Sequence, residues 1–449
     1  MQEYADYTSV PTAWLTELPS HWDCKKIGSL FSERKTKVSD KDFQPLSVAK
    51  IGVVPQLETA VKTDAGDNRK LVRAGDFVIN SRSDRKGSCG VSELDGSVSL
   101  INIVLTPRSQ WNAKYVHYLM RSQPFSEEYY RYGRGIVSDL WTTRFSEMKN
   151  ILLPIPSRSE QDQIVRFLDW KVSMINRLIN TKRKEIKAVD AMKRSMVSSA
   201  VTRGLNPGTP MKFSGVKWLG DIPEHWETIK LRQLLHPVSI KNHPELPLLS
   251  VVREQGVIVR DVTDKEANHN YIPEDLSGYK MVKKGQFAMN KMKAWQGSYG
   301  ISDYTGIVSP AYFIFDVSFD NLEYFHYAIR SKVYVNFFAQ ASDGIRVGQW
   351  DLQMDKMKEI PFIVPPADEQ VAIVEYIKQT LPRYDVAIEK LTAEVETLEE
   401  YKAKLIADVV TGKIDVRDIE IPDYEFVDED ADSDSDSEED VEETEEQED

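Results

Sequence analysis

Several features that mark other protein classes are missing from this 449-residue sequence or are scarce in it. No apolar run approaches the ~18 residues that a bilayer-spanning helix needs, and the first residues lack the basic and apolar regions of a signal peptide. Only two cysteines occur, Cys24 and Cys89, and neither belongs to a CxxC pair. These absences argue against a membrane protein and against a disulfide-stabilised secreted protein, and they favour a cytoplasmic protein with free thiols.

Motifs of catalysis and of metal binding are missing as well. The sequence has no GxxxxGK[ST] phosphate loop, no GxSxG elbow, no HExxH pair and no Asp/Asn-Pro-Pro-aromatic loop of the kind expected in an amino-methyltransferase. Its seven histidines show no metal-ligand spacing. The repeated histidines stand beside aromatic residues and are predicted to be packing residues: His21, His117, His225 and His326. We therefore predict no catalytic residue and no metal site in this chain.

The net charge of −14 is concentrated at one end of the chain. Residues 423–449 hold 17 of the 71 acidic residues and no lysine or arginine, so 54 acidic residues remain against 57 basic ones. A segment of this composition repels itself and buries too little apolar surface to fold, which predicts a disordered tail. The tail is either a solubilising appendage or a nucleic-acid mimic that competes for a basic groove.

The sequence contains an internal duplication. LPSHWD at 18–23 returns as IPEHWE at 222–227, which is 204 positions later, and further matches follow at offsets of 210 and then 209. Insertions in one or two loops account for the drift. The matching pairs include Gly75 and Gly285, Asn80 and Asn290, His117 and His326, Trp141 and Trp350, and Gln161 and Gln370. The His-Trp motif therefore marks the beginning of each copy.

Each copy has a first part with short strand-like runs that are broken by Gly and Asp-Gly turns. Examples are FVIN (77–80) and VSLINIVL (98–105) in one copy, and FAMN (287–290) and IVSPAYFIFDV (307–317) in the other. A proline-bounded apolar segment closes this part, and a long helical pattern follows. The sequence thus predicts an α+β fold with two repeated globular domains, each followed by a long α-helix.

The two helical patterns carry the clearest periodic signal. Apolar positions three and four apart form a heptad seam from Val165 to Met196, and a second seam, displaced by 209, runs from Val374 to Val409. An isolated apolar stripe of this width is unstable in water. The two seams are therefore predicted to bury each other in a two-stranded coil, and the alternative is packing onto separate partners. Pro382 removes a backbone donor from the second helix and predicts a kink or break there.

Two loops keep their ends between the copies and differ inside. NSRSDRKGS (80–88) corresponds to NKMKAWQGS (290–298), and GRGIVSDLWTTR (133–144) corresponds to SDGIRVGQWDLQ (342–353). Arginine and lysine read guanine edges and contact phosphates, and glutamine can read adenine; ordinary solvated surface is the alternative for any single residue. The candidate DNA-binding residues are Arg82, Arg85, Lys86, Arg134 and Arg144 in the first copy and Lys291, Lys293, Trp295, Gln296, Arg346 and Gln349 in the second.

With these features together, the chain resembles the DNA-specificity subunit of type I restriction–modification systems over residues ~15–417. The resemblance implies that each globular domain is a target-recognition domain that reads one half of a split, asymmetric DNA sequence. It also implies an antiparallel pair of helices that sets the gap between the half-sites. The stretches that carry the resemblance are LPSHW, IPEHW, PIPSRSEQDQI, VPPADEQVAI, AVTRGLNP and VVTGKIDVR.

The resemblance further implies partners that supply the chemistry. Two methyltransferase subunits, which bind S-adenosylmethionine, would dock on the helical regions, and two translocating endonuclease subunits would complete the restriction form. ATP and Mg would be used by these partners, with no cofactor in this chain and no membrane contact. Pro382 and the acidic tail depart from the usual pattern of the family.

The predicted order is one domain and helix followed by a second domain and helix. If the chain were instead a coiled-coil interaction scaffold with two domains for ligands other than DNA, its binding would be indifferent to salt, whereas DNA binding weakens steeply with salt. The predicted boundaries are 1–157 for the first target-recognition domain, 158–204 for its helix, 205–217 for a linker, 218–366 for the second domain, 367–412 for its helix and 413–449 for the C-terminal segment with the acidic tail.

Overall fold

The computed structural model describes residues 2–56, 66–82, 86–135, 141–217, 219–261, 272–273, 275–346 and 349–428. The chain divides into two compact units. The first unit combines Met1–Lys182 with Ala393–Glu429, and the second contains Arg183–Thr392. Each unit therefore holds one globular domain and a part of each long helix. No helix in the described ranges is long and apolar enough to cross a membrane.

The globular domain of the first unit is built on a four-stranded antiparallel sheet. Its strands lie in the order Cys89–Val91, Phe77–Asn80, Asn102–Pro107 and Phe31–Glu33. All four residues of Phe77–Asn80 are buried, as expected for a central strand with alternating side chains covered on both faces. A small aliphatic core forms on one face from Leu46, Val72, Val78, Val98 and Val104.

Shorter elements complete this domain. Its other strands are Tyr7–Ser9, Glu17–Pro19, Asp23–Lys26, Lys37–Val38, Leu46–Ala49, Gly52–Pro55, Arg69–Val72, Gly96–Val98 and Leu152–Ile155. Its short helices are Ile27–Leu30, Ala113–Arg121, Gln123–Arg131 and Phe145–Met148. The strand Leu152–Ile155 pairs with Asp23–Lys26, so the end of the domain returns to the strand that follows the His-Trp motif.

The second unit repeats this topology. Its four-stranded sheet has the order Tyr299–Ile301, Phe287–Asn290, Tyr312–Val317 and Leu235–Val238. The remaining strands are Met211–Phe213, Asp221–Pro223, Glu227–Lys230, Leu249–Val252, Gly256–Val259, Lys280–Val282, Gly306–Val308, Ser342–Arg346, Gln349–Leu352 and Pro361–Val364. The short helices are Leu322–Ile329, Lys332–Gln340 and Met354–Lys358, with 3-10 turns at Leu231–Gln233 and Ala294–Gln296.

The registers of the two sheets confirm the duplication. Asn80 pairs with Asn102 in one sheet, and Asn290 pairs with Tyr312 in the other, so the offset of 210 is preserved in three dimensions. The long strand-like runs at 98–105 and 307–317, in contrast, are each two strands separated by a turn. The backbone N–H of Asn102 donates to the carbonyl of Ser99 at 3.0 Å, which closes the turn in the first copy.

The two long helices are Arg158–Arg203 and Ala367–Val410, with 46 and 44 residues. Every predicted seam position on both helices is buried or half-buried. In the first unit, Asn176 contacts Lys402 at 3.2 Å and Lys182 contacts Glu394 at 3.0 Å. Because the residue number rises on one helix as it falls on the other, the helices are antiparallel there, as the resemblance implied.

The second unit shows the same antiparallel pairing with an apolar contact surface. Lys193 forms an ion pair with Asp385 at 2.5 Å. Nearer the end of the first helix, side chains of both helices join the domain core: Met196, Val197, Ala200 and Val201 from one, and Ile373, Val374, Ile377 and Leu381 from the other. The prediction that the two seams bury each other is confirmed within each unit.

Pro382 lies inside the continuous second helix, so a break is wrong, while the alternative prediction of a kink stays a prediction. The proline is exposed, whereas its neighbours on the seam, Leu381 and Tyr384, are half-buried. The backbone group that loses its donor therefore lies on the solvent side, where water can satisfy it. Packing along the seam maintains the helix on the other side.

Each globular domain packs against the end of the helix that belongs to the other copy. The Tyr115 hydroxyl lies 3.4 Å from the carbonyl oxygen of Val410 in the first unit, and the Tyr324 hydroxyl lies 3.2 Å from that of Val201 in the second. A glycine follows each helix end in the left-handed region, with φ of +79° at Gly412 and +74° at Gly204. Both glycines allow close approach of a His-Trp motif tryptophan.

The repeated His-Trp and Glu-Gln motifs contact each other. His21 lies 3.1 Å from Glu160 near the start of the first long helix, and His225 contacts Glu369 at the corresponding place on the second. Both histidines have a hydrogen-bond partner, as expected of structural histidines, but their side chains are 45% exposed and do not belong to the core. They bind the acidic residue that opens each helix, where a carboxylate also complements the helix dipole.

Residues 415–428, which we call the C-terminal strap, run along the first long helix, with a turn at 417–418 and no regular secondary structure after it. Ser173 donates to the carbonyl of Glu425 and accepts from the N–H of Val427, at 3.0 and 2.7 Å. Asn176 and Asn180 donate to the next carbonyls along the strap, those of Val427 and Asp428.

The prediction of disorder is therefore wrong for residues 425–428, because buried polar side chains of the helix bond to backbone groups of Glu425, Val427 and Asp428. The prediction for 429–449 lies outside the described residues.

Candidate nucleic-acid interface

In the first unit, the two loops singled out from the sequence meet through their backbones. The first loop begins at the end of the strand Phe77–Asn80, where the Asn80 side-chain oxygen accepts the N–H of Arg82 at 3.0 Å. Arg134 and Thr142 exchange two backbone hydrogen bonds, of 3.2 and 3.0 Å, and Thr143 donates to the carbonyl of Ser81 at 2.9 Å. The described parts of the loops 80–88 and 133–144 thus form one surface.

The predicted contacting residues of this surface are cationic and accessible. Arg82, Arg134 and Arg144 are exposed. Lys86 is also exposed, and its ammonium group lies 5.4 Å from the centre of the Tyr130 ring, a cation–π distance. Arg85 lies outside the described residues. The described part of the surface can therefore present several guanidinium and ammonium donors to an anionic partner.

The second unit brings its two loops together with the same frame. The Asn290 side-chain oxygen accepts the N–H of Met292 at 3.1 Å, which is the counterpart of the Asn80 contact. The N–H of Leu352 donates to the carbonyl of Lys291 at 3.2 Å, and this bond joins the loops 290–298 and 342–353. Asn80 and Asn290 therefore hold equivalent turns at the ends of equivalent central strands.

The side chains on this second surface differ in kind from those on the first. The Trp295 and Trp350 rings lie 5.2 Å apart at an interplanar angle of 37°, and Lys291 forms an ion pair with Asp351 at 3.2 Å. Lys293 and Gln296 are half-buried at the base of the same loop.

The strands that carry Arg346 and Gln349 pair with each other at these two residues, while their side chains lie outside the described part of the structure. The second surface is thus more aromatic and less cationic than the first.

Sequence reasoning missed two contributors. Tyr130 was not a candidate, although its counterpart at the offset of 209 is Ala339, so a difference between the copies pointed to it. Trp350 matches Trp141 in the duplication and was not a candidate either, but it contacts Trp295, whose counterpart is Arg85. In the first case a change on the loop, Lys86 to Gln296, accompanies a change on the helix that faces it, whereas in the second the facing tryptophan is the same in both copies.

Half-buried histidines bond to the strand that follows the first loop of each surface. The ring nitrogen Nδ1 of His117 accepts the N–H of Val91 at 3.3 Å, and Nδ1 of His326 accepts the N–H of Ile301 at 3.2 Å. Burial lowers the pKa of His117 to about 3 and that of His326 to about 4, and the adjacent arginines add to the shift. The prediction that this repeated pair consists of packing residues is confirmed.

Acidification is expected to destabilise the protein through these two histidines. Their folded-state pKa values lie below the unfolded value of 6.5, so the unfolded chain takes up protons first as the pH falls. The stability that the uncharged histidines contribute is complete above about pH 6.5. Between pH 7 and pH 5, protonation of each histidine in the unfolded chain should lower the free energy of unfolding by about 2 kcal/mol. Denaturant unfolding at both pH values measures this loss.

The matched control is His326→Gln, which replaces the ring with a polar side chain that does not titrate. Carboxylates contribute equally to the pH dependence of both proteins, so the difference between them isolates the histidine. The variant should lose about 2 kcal/mol less than the parent on going from pH 7 to pH 5. Equal losses in the two proteins would show that His326 does not carry the effect.

Among the described residues, no group of three or more His, Cys, Asp or Glu side chains is arranged to hold a metal ion. The two loop surfaces are instead lined by cations and aromatic rings. Their chemistry suits hydrogen bonding to base edges, ionic contact with phosphates and stacking.

The fold defines a class of α+β proteins in which two antiparallel helices carry two loop-bearing domains. A solved structure that concerns complex assembly and conformational transition of the type I R-M system contains a chain of this fold. It matches with a TM-score of 0.58 at 13% identity, covering 88% of this chain and 99% of that chain. No protein-family model matches the sequence.

The curated relatives of this chain are specificity subunits of type I restriction enzymes, so the resemblance predicted from the sequence is confirmed. The type I restriction enzyme MjaVIII specificity subunit of Methanocaldococcus jannaschii is 26% identical over 291 residues, which cover 60% of this chain. The putative MjaX specificity subunit of the same organism is 26% identical over 284 residues, which cover 61% of this chain. The matches span 64% and 61% of the lengths of these relatives.

Proposed function

We propose that this chain is the DNA-specificity subunit of a type I restriction–modification complex and that it reads a bipartite, asymmetric DNA target. The observation that carries the proposal is the pair of loop surfaces, which share a backbone frame and differ in their side chains. A duplicated protein that recognises two unlike half-sites needs a common backbone frame with different side chains on it. Its relatives are specificity subunits of the same kind of system.

The two surfaces support readout of different bases. On the first, Arg82, Arg134 and Arg144 are exposed, and a guanidinium group can form two parallel hydrogen bonds to guanine or to a phosphate. On the second, Trp295 and Trp350 offer aromatic faces for a thymine methyl group or a sugar, while Gln296 can pair with adenine. The first domain would therefore read one half-site and the second domain the other.

The long helices would set the gap between the half-sites. Helices of 46 and 44 residues are long enough to extend ~65–70 Å at 1.5 Å per residue. Successive major-groove sites on one face of a duplex lie about 34–36 Å apart. A pair of such helices can therefore separate two readers by one or two turns of DNA.

Partner subunits would supply the catalysis. Exposed apolar residues occur on the helices in both units, at Met174 and Leu178 in the first and at Met192 and Val386 in the second, where they are available to partner subunits. Two methyltransferase subunits that bind S-adenosylmethionine would dock there, and two endonuclease subunits that use ATP and Mg would complete the complex in the cytoplasm. The chain itself would be non-catalytic.

A base-resolution methylation map of the host genome, with and without this gene, tests the proposal. With the partner genes intact, loss of the gene should abolish methylation at one split motif, which consists of two short blocks around a fixed gap. Restoring the gene should restore the motif. If the map is unchanged and the purified complex binds DNA without the steep salt dependence of phosphate contacts, the chain is an interaction scaffold.

A further inference from the structure

The C-terminal strap has a direction along the first long helix. Gln163 of the helix donates a hydrogen bond to the carbonyl of Val416, Ser173 donates to that of Glu425, and Asn180 donates to that of Asp428. Later strap residues therefore contact later helix residues. The strap thus runs parallel to the helix. The described chain ends at Asp428, beside Asn180, and the next residues of the chain leave from that point.

The helix face under the strap continues as a row of cations. At 100° per residue, Lys184, Lys187 and Arg194 lie within about 40° of the arc that holds Ser173 and Asn180. All three cations are exposed. Arg194 has an ion pair with Asp190 at 2.7 Å, while Lys184 and Lys187 have no ion pair with any residue that the structure describes.

The remaining tail fits this cationic row in charge and in length. Residues 429–449 contain 14 acidic residues and no basic residue. The helix rises ~21 Å between Asn180 and Arg194, and about seven extended residues cover that distance. The first seven tail residues, EDADSDS, already carry four carboxylates.

We propose that the acidic tail 429–449 docks on the cationic row Lys184, Lys187 and Arg194 and competes there with DNA phosphates. The docking rests only on the strap and on the charges, whereas the competition with DNA rests on the function proposed above. A tail held beside its binding site has a high effective concentration, so weak ionic contacts suffice. Non-specific duplex is therefore kept off the helix, and DNA binding depends on the loop surfaces.

Distance measurement between spin labels tests the docking without any DNA. Labels on cysteines at Ala188→Cys and Ser433→Cys, in the full chain with Cys24→Ser, should give a narrow distribution below about 25 Å. Burial raises the pKa of the Cys89 thiol to about 12, so this cysteine stays unlabelled. The matched variant Lys184→Glu/Lys187→Glu/Arg194→Glu should give a broad distribution. Equally broad distributions in both proteins would overturn the docking.

Binding to a duplex of scrambled sequence tests the competition. Compared with the full chain, a chain that ends at Asp428 keeps every described residue and should bind more tightly. The slope of its log affinity against log salt should be steeper by about 3, because three cations are released for phosphate contact. In the triple glutamate variant the same truncation should change nothing.

The possible outcomes separate the two proposals. A narrow label distribution together with an unchanged salt slope would mean that the tail docks and does not compete, which overturns the competition. If neither the full chain nor the truncated chain binds DNA, the proposed function fails, and the label distances still decide the docking.

Discussion

Replacing Trp226 with alanine is expected to lower the free energy of unfolding of the second unit by about 3–5 kcal/mol. The tryptophan is fully buried in the core that joins the globular domain to both long helices. Its indole N–H donates to Glu369 at 3.0 Å. The alanine variant loses the burial of the ring, leaves a cavity beside Gly204 and removes a donor from a carboxylate. Denaturant unfolding measures the loss, and hydrogen exchange in peptides from residues 219–261 localises it to the second unit.

The first unit provides a matched comparison for the hydrogen bond. Trp22 occupies the equivalent place, but its indole nitrogen has no partner among the described residues, and Tyr4 donates to Glu160 at 2.8 Å instead. Trp226→Phe should therefore cost about 1–3 kcal/mol more than Trp22→Phe, because it leaves Glu369 short of a donor. Equal costs would show that the Trp226 hydrogen bond contributes nothing.

Replacing Arg82, Arg134 and Arg144 together with alanine is expected to abolish reading of one half-site. A guanidinium that contacts a base contributes about 1–3 kcal/mol of discrimination, so two such contacts correspond to about 100-fold in affinity for the correct half-site. Binding to the other half-site should be unchanged. The measurement uses duplexes that carry the methylated motif with either half scrambled.

Two variants control this experiment. Lys291→Ala/Lys293→Ala alters the second surface and should affect the opposite half-site. Arg158→Ala removes an exposed arginine at the start of the first long helix and should leave both half-sites unaffected. If the triple variant instead weakens binding to all duplexes equally and lowers the salt slope by about 3, the three arginines are phosphate contacts and do not read bases.

The duplication and the helices could be predicted because they depend on local spacing. A seam of positions three and four apart identifies a helix face without any knowledge of its partner, and the fixed offsets reveal equivalent strands. The contact between His21 and Glu160 spans 139 residues, and no periodicity links two motifs across such a distance. Both motifs were visible in the sequence, but their pairing required the fold.

The C-terminal strap could not be predicted for a different reason. Its last residues belong by composition to the acidic tail, and the helix residues that bind it are Ser173, Asn176 and Asn180. On a helix, polar residues off the apolar seam indicate solvent exposure, yet all three are buried. Burial here depends on backbone groups of another segment, which a side-chain pattern does not report. At Pro382, packing along the apolar seam outweighs the tendency of proline to break a helix, so the local rule failed there.

The division of the first unit between the two ends of the chain has a consequence for its biosynthesis. Its core includes Leu405, Val409, Val410 and Val416, all buried, which leave the ribosome more than 200 residues after the strands that they cover. At 5–20 residues per second, the nascent first domain waits roughly 10–50 s before these residues are synthesised. During that interval its apolar surface faces solvent or a chaperone, whereas Arg183–Thr392 is contiguous and can fold as it emerges. The domain that is translated first is thus the one that matures last.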